Sequence, residues 1–352
     1  MFKYFIFIRP LGFLYGSSGA FLSPENLVGR SGEKFPPSAA ALSGLFFSAK
    51  LAGKNLTESQ KTQIHQELCE NLHTAGPFWA EEQNKQDFYV PIPWHRIIGK
   101  NNQKDEWKLE NGNWQRDKKY AANEEQLEPA FQWQRISSWK DKQPKCQNQP
   151  WRYISFLHPH MKDEERHPKK QDGLFLENAV QMPEDICLVY LSTHELHESN
   201  KLHELNNRWY RFGGENHIVE IECQKIDETS KILKLFKEPI KQAFALITPA
   251  IWGSTRFSYR FPQHPDLASY FPEDKTKLLT DKAIPYRYSS GERLGRGRYA
   301  VPAGSVYVLP KPLNKSWSEF DENWFPCQGY SLKKIGCGLC LPVDLKGLQK
   351  YQ

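Results

Sequence analysis

The order of its apolar runs most restricts how this chain can fold. Residues 2–8 form a short aromatic and β-branched run that Pro10 and Gly12 stop, as a strand is punctuated. Residues 39–52 read as a helix with Ser38 as its cap, and residues 56–73 keep helical spacing behind a Thr57 cap and Glu58. Phe88, Tyr89 and Val90 lead into Pro91-Ile92-Pro93, an extended, proline-locked stretch. Strand-like runs follow at 151–157, 173–182 and 186–192, then a helical stretch at 194–207 and an alternating strand, Ile218-Val219-Glu220-Ile221-Glu222. Residues 100–150 turn sharply polar, with isolated Trp107, Trp114, Trp133 and Trp139, and read as an insertion of loops and ribbons, partly mobile alone. Without that insertion the order is β-α-β-β-α-β.

That order is the split βαβ layout of ferredoxin-like, RRM-like modules. The chain of 352 residues is long enough for two such units. The expected fold is therefore α+β, two ferredoxin-like domains with long loop insertions. One spans 1–225 and the other 226–352. In the second, Phe244-Ala245-Leu246-Ile247-Thr248-Pro249 and residues 299–309 read as strands, with a loop-rich, proline-bearing stretch at 254–281 between them. No clean repeat of the first unit is visible there, so its ferredoxin-like character follows in part from the resemblance below.

A net charge of +6 and a pI near 8.8 suit a polyanionic partner and fall far short of a histone-like tail. Aromatic residues make up 13% of a chain whose mean hydropathy is only -0.68, so they serve cores, loops and stacking surfaces together. The seven cysteines are odd in number and scattered, which reads as a reducing cytoplasm rather than a secreted disulfide scaffold. Arg9-Pro10 breaks the opening apolar run too early for a secretory signal, and no stretch approaches the roughly 20 apolar residues of a membrane span.

Five segments, in order along nearly the whole chain, carry a family resemblance. They are Phe35-Pro36-Pro37-Ser38 ahead of Leu42-Ser43-Gly44, Gly76-Pro77-Phe78 through Pro91-Ile92-Pro93, Arg211-Phe212-Gly213-Gly214-Glu215, Leu246-Ile247-Thr248-Pro249-Ala250, and the run from Arg298 and Tyr299 to Val306 and Tyr307 through Pro302-Ala303-Gly304. Together they resemble the CRISPR-associated RAMP proteins that form the third subunit of type III-B Cmr effector complexes, a Cas-five-like group. The resemblance implies a non-catalytic RNA-binding subunit for antiviral defence that holds the 5′ repeat-derived tag of the guide RNA. It implies contacts with the large polymerase-like subunit and the backbone RAMP subunit, an indirect relation to target RNA, and no cofactor. The 100–150 insertion and the charged excursion at 161–170 depart from the family pattern.

RNA binding requires cations and backbone amides for phosphates and planar groups for splayed bases. Gly291-Glu292-Arg293-Leu294-Gly295-Arg296-Gly297-Arg298-Tyr299 interleaves Arg293, Arg296 and Arg298 with glycines and ends on a ring that could stack; a solvated hairpin tip is its bland alternative. Residues 16–38 deliver Gly16, Ser17, Ser18, Arg30, Lys34 and Ser38 toward a helix start, where free N–H groups attract phosphate; a plain capped connector is the alternative. Arg211, Gly213 and Gly214 suit either a phosphate or a turn, and so do Lys333 and Lys334 beside Gly336 and Gly338.

Enzymatic readings are weaker. Cys337-Gly338-Leu339-Cys340 has metal or redox spacing without a second ligand pair. His194 and His197 form no H-E-x-x-H motif. His158, His160 and His167 leave open a metal-independent endoribonuclease acting on repeat RNA, and a further alternative is a scaffold that contacts proteins through the insertion.

Overall fold

The computed structural model describes residues 1–15, 35–51, 56–117, 127–159, 161–162, 167, 174–196, 209–213, 217–254, 256–273, 276–287, 289–290, 293–327 and 329–348. Its framework is an eight-stranded antiparallel sheet. In space the strands run Trp209–Phe212, His217–Lys225, Tyr4–Pro10, Ile186–Ser192, Thr74–Glu81, Tyr89–Pro91, Trp133–Arg135 and Cys146–Gln147. The four longest strands of this sheet lie side by side as fourth, first, third and second in chain order, each antiparallel to its neighbour. With the helices Ala39–Leu51, Glu58–Asn71 and Lys231–Lys237, the chain is α+β with mostly antiparallel sheet.

Residue pattern explains the burial of this sheet. All seven positions of Ile186–Ser192 are buried, as an uninterrupted apolar strand requires when both faces are covered. On one face Ile6, Ile8, Leu188 and Tyr190 pack with Leu42, Leu45 and Phe46 of the first helix. On the other, Phe5, Phe7, Cys187 and Val189 join Phe244, Ile247, Tyr307 and Leu341 from the C-terminal half. Fully burying each of these large side chains contributes about 1.5–3 kcal/mol. The second helix is started by a reciprocal pair: the Gln60 N–H donates to Thr57 Oγ1 at 3.3 Å and the Thr57 N–H to Gln60 Oε1 at 2.9 Å.

The C-terminal half carries a four-stranded antiparallel sheet in the order Lys277–Leu279, Val306–Val308, Ala243–Leu246, Cys340–Pro342. The run at 299–309, expected as one strand, is two. Arg298–Ala300 and Val306–Val308 are separated by a turn at Gly304, whose φ of +88° and whose contact with Trp94, 2.9 Å from where a Cβ would sit, admit only glycine.

The second strand of the main sheet also differs from expectation. It is Thr74–Glu81, and Tyr89–Pro91 pairs beyond it. Gly76-Pro77 disguises that strand as a turn, because proline lacks the N–H a ladder needs. The structure absorbs both residues at a register irregularity opposite Val189 and Leu191, where Gly76 at φ +130° lies against the Tyr190 ring.

The polar stretch from 100 to 150 does form ribbons, but they are built into the fold. Trp133–Arg135 and Cys146–Gln147 extend the main sheet, and Trp139 is buried, its Nε1–H donating to Pro342 O at 2.8 Å. The hairpin of Lys104–Glu110 and Asn113–Arg116 sets Leu109 and Trp114 against Ala243, Val308 and Leu345. Arg152–Pro159, Leu174–Gln181 and Leu14–Tyr15 form a separate three-stranded sheet. Of the helical stretch expected at 194–207, residues 197–207 lie outside the described residues.

Two histidines give the fold an acid sensitivity. Burial, followed by Arg96, lowers the His95 pKa to about 3; burial, followed by Lys333 and Lys334, lowers that of His73 to about 4. Both values lie below the unfolded value of 6.5, so between the two pKa values the unfolded chain binds more protons. Their stabilisation is present above pH 6.5 and is lost as pH falls toward 4 and then 3. Denaturant unfolding at pH 7 and pH 5 is expected to show a loss on the order of 2 kcal/mol from His95 alone. The His95→Gln variant should show a correspondingly smaller difference between the two pH values.

Candidate nucleic-acid interface

Two abutting β-hairpins of the C-terminal half present exposed cations and rings. The first pairs Ile284–Tyr286 with Arg298–Ala300 and, further out, Ser289–Ser290 with Arg293–Leu294. The Arg287 Nε–H donates to Gly295 O at 2.8 Å and ties the two legs together. Pleating alternates the side chains of Arg298–Ala300: Arg298 and Ala300 turn inward and Tyr299 outward, 63% exposed. Arg296 is exposed on the same leg.

The second hairpin pairs Trp252–Gly253 with Ser258–Tyr259. It is anchored by Trp252, which is buried and donates its Nε1–H to the Tyr307 hydroxyl at 3.0 Å. Gly253 has φ +110°, and the Tyr259 ring lies 2.5 Å from where its Cβ would be, so only glycine lets that ring settle there. The Arg256 guanidinium sits 5.3 Å from the Phe257 ring centre. The Tyr299 N–H donates to Ser258 Oγ at 3.2 Å, which joins the hairpins. Residues 254–300 carry nine Lys and Arg against five Asp and Glu, a net +4 within a chain of +6.

The structure separates the residues singled out from sequence. Gly16, Ser17, Ser18, Arg30, Lys34 and Gly214 lie outside the described residues. Ser38 is half-buried before the first helix, its carbonyl accepting from the Ala41 N–H at 2.9 Å. Arg211 is exposed on the outermost strand of the main sheet, and Gly213 takes φ +80° in the turn that follows. Arg293 stands opposite Ser290 near the tip of the first hairpin. Arg298 is 5% exposed and donates to Ser254 O at 2.7 Å, so it holds the two hairpins together from beneath rather than facing solvent.

Lys333 and Lys334 belong to a joint instead of a phosphate loop. The Lys333 ammonium is buried and donates to Ser318 O at 3.0 Å and to Phe320 O. Lys334 donates to Cys69 O at 2.7 Å and Glu70 O at 2.9 Å, closing the C-terminal end of the second helix where a cation is favoured. Gly336 packs so tightly on Ala75 that a Cβ there would lie 2.6 Å from it.

The thiols of Cys337 and Cys340 are buried. Burial pushes the Cys337 pKa up to about 12 and raises that of Cys340 as well, so both stay protonated. A cleft of about 550 Å³ is lined in part by Lys3, Glu70, His73, His194 and Glu195. In it His73 is held neutral near pH 7 with Nε2 3.4 Å from Glu322 Oε1. Among the described residues no three His, Cys, Asp or Glu side chains group to hold a metal ion, and no helix is long and apolar enough to cross a membrane.

A family model described as CRISPR-associated protein (Cas_Cmr3) matches residues 115–344, about two-thirds of the chain. The chain belongs to this family. Solved structures similar to it include a chain of the Type III-B Cmr-beta complex bound to cognate target RNA, with TM-score 0.45 and 13% identity over 86% of each chain. Another lies in the Csm3-Csm4 subcomplex of the type III-A CRISPR-Cas interference complex, with TM-score 0.40 and 11% identity, covering 88% of this chain and 98% of that one. A third is from the Csm1-Csm4 cassette in complex with pppApA, with TM-score 0.36 and 11% identity over 89% and 98%. No curated protein matches the chain.

Phe257, Tyr259 and Arg256 were not legible as interface residues, because they lie in a stretch that reads as loop. Their signal is the pair of rings at i and i+2 flanked by cations in Arg256-Phe257-Ser258-Tyr259-Arg260. Burial separates this family member's cations into two classes that behave differently on substitution. Lys333→Met, which leaves two carbonyls without their donor, is expected to cost about 1–3 kcal/mol in denaturant unfolding while RNA affinity stays unchanged. Arg296→Ala is expected to leave stability unchanged.

Proposed function

We propose that this chain is a non-catalytic RNA-binding subunit of a type III CRISPR effector complex. In this reading it holds the 5′ repeat-derived tag of the guide RNA, contacts the large polymerase-like subunit on one side, and meets the backbone RAMP subunit on the other. Family membership supplies the setting. The observation that carries RNA contact is the pair of cationic hairpins, where Arg256, Arg260 and Arg296 are exposed beside Tyr299. The N-terminal half is read as a ferredoxin-like unit, supported by the fourth-first-third-second order of its long antiparallel strands.

An RRM-type mode on the open face of that sheet is unfavourable here. Phe5 and Phe7, whose rings stand on that face, are 1% and 0% exposed under the C-terminal half. The hairpins are the accessible alternative, and guanidinium groups there meet phosphates bidentately.

Crosslinking and mass spectrometry on the complex purified with its native RNA test this reading. Peptides covering 287–299 and 256–260 are expected to carry nucleotides from the 5′ end of the guide. Crosslinks from this chain to protein alone, through residues 100–150, would instead make it a scaffold. Cleavage of repeat RNA by the purified chain without metal, abolished in His158→Ala, would make it an endoribonuclease. In filter binding with the full chain, Arg296→Ala is expected to lower the slope of log affinity against log salt by roughly one.

A further inference from the structure

We infer that Phe257, Tyr259 and Tyr299 form a stacking platform for unpaired nucleotide bases, with Arg256, Arg260 and Arg296 meeting the phosphates that link those bases. The inference rests on the RNA-holding role proposed above and adds which part of the RNA the site takes: the base faces of a single-stranded segment.

Three observations converge on it. The rings are exposed by 55%, 44% and 63%, close together on joined hairpins, in a chain whose mean hydropathy is only -0.68. Among the described residues none of the three stacks on another aromatic ring; the Arg256 guanidinium lies 5.3 Å from the Phe257 ring centre and Gly253 backs the Tyr259 ring, while all three rings keep an exposed side. Many other aromatics form stacked core pairs, such as Trp79 with Tyr89 at 3.9 Å and Phe244 with Tyr307 at 4.9 Å, and the exposed Trp209 and Tyr153 lie apart on other strands.

The platform is also held in place before any ligand arrives. Tyr299 sits in a ladder whose neighbours Arg298 and Ala300 are locked inward, and Tyr259 rests on Gly253 above the buried Trp252. Fixing the rings beforehand lowers the entropy lost on binding. Arg256 and Arg260 flank the two rings of 256–260, and the surrounding segment carries net +4, which suits a polyanion over an apolar protein face. Every base has a π-face, so such a platform tolerates sequence while rejecting paired strands, whose bases are already stacked.

The test uses the full chain and two probes in fluorescence anisotropy: a labelled ten-nucleotide oligo(A) RNA and an abasic chain with the same number of phosphates. Unsubstituted protein is expected to bind the abasic probe at least tenfold more weakly than oligo(A). Phe257→Ala and Tyr299→Ala are expected to weaken oligo(A) binding by roughly tenfold each, with the salt slope unchanged and no effect on the abasic probe. Tyr299→Phe should bind like the parent. Equal affinity of the unsubstituted protein for the two probes would overturn the platform, and that comparison needs no variant to fold. If the two ring variants bind like the parent while Arg256→Ala and Arg296→Ala weaken binding and flatten the slope, the RNA-holding role stands, the platform falls, and the rings are left for a protein contact. If the unsubstituted chain binds neither probe at low salt, both readings fall.

Discussion

The rest of the structure depends on the central sheet being covered twice. Ile6 and Ile8 point to one side and Phe5 and Phe7 to the other, and each row needs a partner layer to leave water. The first helix supplies one layer and the C-terminal half the other. The second layer covers the face on which RRM-like modules take bases, so in the RNA-binding reading proposed above any contact falls on the layer itself. The exposed hairpins stand on that outer layer. Covering the sheet thus determines where a ligand can reach the protein.

A second consequence concerns the charged side chains. Arg298, Lys333 and Lys334 satisfy backbone carbonyls that the junctions between elements would otherwise leave unpaired. Arg9 is likewise engaged within the fold, by the carboxylates of Glu82, just past the end of one strand, and Glu222 on another, its ionised form favoured first by the Glu82 hydrogen bond. A basic protein can therefore place many of its cations inside its own joints. The net charge of +6 is an unreliable guide to how much positive surface a polyanion meets.

Much of the fold was readable because burial on both faces leaves a plain mark. Ile186–Ser192 is apolar at almost every position, and Ile218 to Glu222 alternates, so both announced themselves as strands. Thr74–Glu81 did not, since Gly76-Pro77 looks like a stop until the irregularity that accommodates it is seen. Trp139 stood in a polar stretch without periodicity, and its partner Pro342 lies 203 residues away. Lys333-Lys334-Ile335-Gly336 reads alike for a phosphate loop and for a joint, and only the carbonyls of Ser318, Phe320, Cys69 and Glu70 decide between them. Phe257 was hidden for a similar reason: the Ser258 and Tyr299 bond that gathers the rings spans 41 residues. The family pattern was carried by local motifs that survive translation into sequence, whereas the site depends on contacts that do not.

The joint at residues 333–336 bears on how the protein is made. Gly336 packs on Ala75, Lys334 on the end of the second helix, and Leu339 and Leu341 complete the layer over Phe5 and Phe7. These pieces leave the ribosome some 260 residues after Ala75 and the second helix, and more than 330 after Phe5 and Phe7. At about 5–20 residues per second, the N-terminal sheet waits many seconds with one apolar face open to solvent. During synthesis it is therefore a client for whatever shields nascent apolar surface, and a ribosome that stalls before residue 331 leaves a half-covered sheet ready to aggregate.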